Sequence, residues 1–115
     1  MSIERLEPGR RFSQAVVHGD TVYLAGQTSS LADAGVYEQT VDILGRIDAL
    51  LAAAGSDRTK LLMANIWLVD IATFDEMNRA WEAWADPANL PGRATVEARL
   101  AAPEYKVEIA VIAAK

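Results

Sequence analysis

LPGRATVEARLAAPEYKVEIAVIA, residues 90–113, decides the fold. Arg93–Leu100 alternates strictly, with Arg93, Thr95, Glu97 and Arg99 on one face and Ala94, Val96, Ala98 and Leu100 on the other. That two-residue period is the mark of a half-buried strand. Tyr105–Ala113 alternates again, with Tyr105, Val107, Ile109, Val111 and Ala113 forming the apolar row. Between them Ala101-Ala102-Pro103-Glu104 reads as a hairpin connection. If the two strands pair, Glu108 shares a face with the row from Arg93 to Arg99.

Upstream, QAVVHGDTVYLAGQ (residues 14–27) sets two β-rich runs on either side of Gly19-Asp20. Such a pair accepts positive φ and predicts a hairpin. Residues 36–54 carry helical spacing, with Val36, Ile43, Ile47, Leu50, Leu51 and Ala54 on one stripe and Glu38, Asp42 and Arg46 opposite. Gly55 is placed to end that helix in the left-handed conformation. Leu61–Ile71 is mostly apolar and reads as a strand buried on both faces. Thr73-Phe74-Asp75-Glu76 has the form of a capping box. The helix it opens sets Phe74, Met77, Trp81 and Trp84 on one stripe and stops at Asp86-Pro87. The order is β-β-α-β-α-β-β, an α+β layer fold with a mixed sheet and two helices on one face.

With 115 residues, the chain fits a single domain, 1–115. There are 16 acidic and 11 basic residues, a net charge of −5, which disfavours a phosphate-backbone binder and an anionic membrane surface. No Cys is present, so disulfides, thiolate nucleophiles and Cys-based zinc sites are ruled out, and the lone His18 cannot form a multi-His metal site. The N-terminal MSIERLEPGRRFSQ lacks the apolar core of a signal peptide, and Leu61–Val69 is far short of a membrane span. The expectation is a cytoplasmic protein with no nucleic-acid or membrane partner.

Five positions carry the candidate chemistry. Arg93 opens a strand after the turn Leu90-Pro91-Gly92, where a guanidinium can clamp a carboxylate bidentately; an ion pair with Glu97 or Glu108 is the competing reading. Glu108 interrupts an apolar strand and can orient water or move a proton; the competing reading is a cross-strand pair with Arg99. Gly26, with Gln27, ends a strand where free amides can hold an anion. Asn78 lies one turn beyond Phe74 at the edge of the apolar stripe. Phe12 enters as the fifth through the resemblance below.

RFSQAVVHGDTVYLAGQ, GSDRTKLLMANIWLVDIATFDEMNRAWEAW, LPGRATVEARL and YKVEIAVIA together resemble the reactive intermediate deaminase family, RidA/YjgF, over nearly the whole chain. The resemblance implies a chorismate-mutase-like homotrimer, its sheets forming a central barrel with helices outside and clefts between subunits. It implies that Arg93 holds a substrate carboxylate, Glu108 positions a water, the Gly26 backbone helps bind ligand and Asn78 lies near the cleft. The implied reaction hydrolyses small 2-imino acids to 2-oxo acids and ammonia without metal or cofactor. Phe12 and Ala25 depart from the family's usual Tyr and Ser, which marks a divergent subfamily. The alternative is a non-catalytic trimer that binds small carboxylates or a partner protein. Ribonuclease activity, attached to parts of this family by name, fits poorly with the acidic balance and the absence of a basic aromatic stripe. Chorismate mutase, by fold analogy alone, would need more converging cations than Arg93.

Overall fold

The computed structural model describes residues 1–115. Ser13–His18 (β2) and Thr21–Leu24 (β3) form the expected hairpin, with Gly19 at φ 61° in the turn. A further strand precedes it: Ile3–Pro8 (β1) pairs antiparallel with β2, from Ile3 opposite His18 to Pro8 opposite Ser13. Its sequence, IERLEP, shows no apolar alternation. Three charged residues and a Pro suit an outermost strand, where they block further edge pairing.

Val36–Ala53 (α1) follows, then Leu61–Leu68 (β4), Phe74–Trp84 (α2), Gly92–Glu97 (β5) and Val107–Ala114 (β6). α1 ends as its sequence predicts. Gly55 takes φ 84°, the Ser56 amide donates to Leu51 O at 2.8 Å and the Gly55 amide to Ala52 O at 3.1 Å, a Schellman closure. α2 does not begin with a capping box. Asp70 caps a 3-10 turn over Ile71–Thr73, and the Thr73 hydroxyl donates back to Asp70 O at 2.6 Å. Thr73 is already turned into that helical segment, so it lacks the extended backbone that an N-cap side chain requires.

The sheet order is β1-β2-β3-β6-β4-β5. β5 and β6 therefore do not form a hairpin. β4 lies between them, antiparallel to β6 and parallel to β5. The physical reason is the apolar content of β4, which favours a central position, with α2 as the crossover that a parallel β4–β5 pair needs. The 98–106 segment spans the end of β4: the Ala98 amide donates to Leu68 O at 2.9 Å, and the Val69 amide to Lys106 O at 3.1 Å.

Both helices cover one face of the sheet. Ile43, Leu44, Ile47 and Leu51 of α1 and Met77 of α2 are fully buried with Val22, Ile66, Leu68, Ile109 and Val111 of the sheet. Each such large side chain contributes roughly 1.5–3 kcal/mol when removed from water. Within this chain β4 is covered on one face only. Leu61, Ala64, Ile66 and Leu68 lie under the helices, whereas Met63, Asn65 and Trp67 on the other face are half-buried. Tyr23 and Val96 are 44% and 50% exposed.

Candidate functional site

The register of β5 fixes the direction of Arg93. It stands opposite Ala64, which is fully buried beneath the helices, so Arg93 points to the helix side of the sheet. There its guanidinium lies 5.4 Å from the ring centre of Trp81 and 5.7 Å from that of Phe74. Cations are drawn to such ring faces. The guanidinium opens on a cavity of about 440 Å³ lined by Asn78, Trp81, Glu82, Leu90, Pro91 and Arg93 itself. Partial burial lowers the Arg93 pKa, and the Glu82 carboxylate works in the opposite direction. Arg93 makes no ion pair; the ion pairs present are Arg46–Asp42 and Arg58–Asp48. Glu97, one of the partners weighed for it, instead accepts the Ile71 amide at 3.0 Å.

Glu108 stands opposite Trp67 and so belongs to the other face of the sheet. Ala64 and Trp67 are three residues apart on one strand, and odd spacing means opposite sides. The expectation that Glu108 shares a face with the Arg93 row is thus corrected. It rested on β5 pairing with β6, which β4 prevents. The Glu108 carboxylate lies against the Cα of Gly26, close enough that a β-carbon there would come within 2.9 Å of Glu108 Cδ. Burial pushes the Glu108 carboxyl above its ordinary range. Arg99 and Glu108 both line a smaller cavity of about 260 Å³ with Trp67 and Leu100, but they make no ion pair.

Gly26 is held beside Glu108 by the chain on either side of it. The Gln27 amide donates to Ile109 O at 2.8 Å, and the Ile109 amide donates to Gln27 O at 3.1 Å. Phe12, 58% exposed, immediately precedes β2 at the same end of the sheet, where Gln14 O accepts the Ala25 amide at 2.9 Å. His18 is exposed beside the far hairpin turn.

The five candidates thus fall into two groups. Arg93 and Asn78 meet at one cavity on the helix side. Gly26 and Glu108 meet on the open side, and Phe12 lies at the end of the sheet that carries Gly26. One chain does not bring the groups together. The Phe74–Trp81 platform under Arg93 escaped the sequence reading. Its only signal was the α2 stripe, and nothing in the stripe tells that β5 returns beneath it. No three His, Cys, Asp or Glu side chains cluster as metal ligands would.

The family described as Endoribonuclease L-PSP matches residues 2–115. A RutC family protein of Haemophilus influenzae is 45% identical over 98% of each chain. The RutC family protein YoaB of Escherichia coli is 43% identical over 99% of each. The crystal structure of a YjgF-family protein of Neisseria meningitidis superposes with a TM-score of 0.94 at 41% identity, covering 100% of this chain and 96% of the other. The chain belongs to this RutC/YjgF family, as the sequence resemblance implied.

Proposed function

We propose that the protein is a hydrolytic deaminase of small 2-imino acids, working as a homotrimer at clefts shared between subunits. The observation that carries this reading is the separation of Arg93 and Glu108 onto opposite faces of one sheet, each unpaired and each bordering a cavity. Two such half-sites become one site when the open face of one copy meets the cavity edge of another. The half-exposed Tyr23 and Val96 and the half-buried Met63, Asn65 and Trp67 supply an open sheet face of the kind that association covers.

In this reading the Arg93 fork grips the substrate carboxylate, and the rings of Phe74 and Trp81 hold the guanidinium in place. Asn78, at the same cavity, is a hydrogen-bonding neighbour for the bound acid. Across the cleft Glu108 orients a water and takes its proton as the oxygen adds to the imine carbon. That proton passes to the imine nitrogen to give the tetrahedral carbinolamine, which then collapses: the hydroxyl proton moves through Glu108 to the amine, the carbonyl forms as the C–N bond breaks, and ammonia leaves a 2-oxo acid behind. Burial raises the Glu108 pKa, the direction that makes a carboxylate a better proton acceptor.

Mixed trimers test the shared cleft. Arg93→Ala and Glu108→Gln are each expected to be strongly impaired alone. Co-expressed, they should recover part of the ammonia release, because some clefts then pair an intact Arg93 with an intact Glu108. No recovery in purified mixed trimers would refute a shared site. The second reading, a trimer that binds small carboxylates without turnover, draws on Phe12 and Ala25, where the family's usual hydroxyls are missing.

A further inference from the structure

Gln39 is a polar side chain in the first turn of α1, and it is completely buried. Its amide nitrogen donates to Leu31 O at 3.1 Å and to Glu104 O at 3.0 Å. Its amide oxygen accepts the Lys106 backbone N–H at 3.0 Å. Both donors and one acceptor position are therefore used, none of them within the helix that carries the residue. A buried, fully engaged amide of this kind specifies one arrangement of the segments that it joins.

Those segments are the two that lead to the Gly26–Glu108 contact. Leu31 lies in the stretch that follows Gly26 and Gln27. Glu104 and Lys106 lie in the stretch that delivers β6, and Glu108 is two residues beyond Lys106. A second strut joins the same stretches: the Lys106 ammonium donates to Ala34 O. The Gln27–Ile109 backbone pair then completes the corner. Removing the Gln39 amide takes the partner from the Glu104 carbonyl and the Lys106 N–H at once, while Leu31 O keeps only the Ala34 amide at 3.1 Å. Losing these bonds loosens the tie between the two stretches, so they are free to shift relative to one another.

We propose that Gln39 is a positioning residue, which sets where the Glu108 carboxylate sits over Gly26 and so acts on the reaction through Glu108 without touching substrate. This rests on Glu108 being the group that handles water and protons. It extends that reading to a residue on the far side of the sheet, in the helix layer.

The experiment uses the full-length protein with Gln39→Met, which keeps side-chain length but cannot hydrogen-bond in this way. kcat should fall by about 10²-fold, the loss that a displacement of about 1 Å can cause, while KM holds. Lys106→Met, which removes only the second strut, should show the same pattern more weakly, and it serves if Gln39→Met does not fold. In a Glu108→Gln background Gln39→Met should cost nothing further. A loss confined to KM, or losses that multiply in the double variant, would overturn the proposal. A readout independent of turnover is the Gly26 amide resonance, which reports the carboxylate packed on it. It should move in Gln39→Met toward its position in Glu108→Gln. If the unmodified protein releases no ammonia, the deaminase reading fails, and the Gly26 resonance alone decides: unmoved, it overturns the positioning role.

Discussion

The carboxylate of Glu108 occupies the space that a side chain at position 26 would fill. A β-carbon on Gly26 would lie 2.9 Å from Glu108 Cδ and 3.2 Å from Cγ, and closer still to Oε2. Gly26 has no positive φ to explain its identity, unlike Gly19 at 61° and Gly55 at 84°. What it supplies is room. The substitution Gly26→Ala should therefore act on the carboxylate more than on the fold, since the obstructing atoms are the far end of a flexible side chain. We expect a folded protein with a small drop in melting temperature and a large loss of turnover. Adding Glu108→Ala should return the melting temperature toward that of Glu108→Ala alone. A Gly26→Ala protein with full activity would show that the contact is incidental.

Burial raises the Glu108 pKa above its unfolded value. Between the two values the native chain binds more protons than the unfolded one, so stability falls as pH rises through that window. Below the unfolded pKa the contribution is fully present; above the folded pKa it is lost. Glu108→Gln should accordingly gain stability relative to the parent at neutral pH and lose that advantage in acid. Thermal melts across the carboxylate range would check the sign. The same variant should hydrolyse 2-imino acids ~10²–10⁴-fold more slowly, as loss of a general acid–base does. Ammonia release, with spontaneous hydrolysis subtracted, measures it.

Arg93 has no ionic partner to lose, so Arg93→Ala should leave the trimer assembled. It should cost about 2–5 kcal/mol of 2-oxo acid affinity by calorimetry, the range for truncating one member of a buried charge pair. Arg93→Lys should recover only part, because a single ammonium cannot reproduce the fork. Unchanged binding in Arg93→Ala would remove the clamp role.

Phe12→Tyr with Ala25→Ser restores the two hydroxyls that the resemblance makes usual at these positions. Activity on the smallest 2-imino acids should rise, assayed with a dehydratase that generates the imine in place. No gain, together with no activity in the parent, would favour the carboxylate-binding reading.

The half-exposed residues of the open sheet face should be covered by association. Light scattering at micromolar concentration is expected to give the trimer mass. A stable monomer of 12.5 kDa would contradict both the trimer and the shared cleft.

Periodicity alone carried much of the architecture. The stripe through Ile43, Ile47 and Leu51 made α1, Gly55 ended it, and the alternation in 93–100 and 105–113 made two strands. These are local properties, because a face must match its own period whatever it packs against. β1 was not legible. Edge strands are selected to look unlike strands, and IERLEP has the charges and the Pro that do this. The capping box at Thr73 misled for a related reason: the motif was present, but a 3-10 turn from Ile71 had already claimed the hydroxyl.

The candidate residues were legible as chemistry, and Arg93, Asn78, Gly26 and Glu108 border the cavities and contacts that the fold makes. Their arrangement was not. Whether Arg93 and Glu108 share a face depends on which strand lies between β5 and β6, and alternation within a strand says nothing of its neighbours. The sequence by itself determined the two helices with their apolar faces, most of the strands, and which acidic and basic side chains stand as candidates for an acid-binding, proton-moving site. Only the tertiary structure decided that β4 separates the last two strands, that Arg93 rests on Trp81, and that Glu108 rests on Gly26. Strand order is a long-range property, fixed by the total burial that all the elements achieve together, and one chain's pairing can send two neighbouring strands' side chains to opposite sides of a sheet.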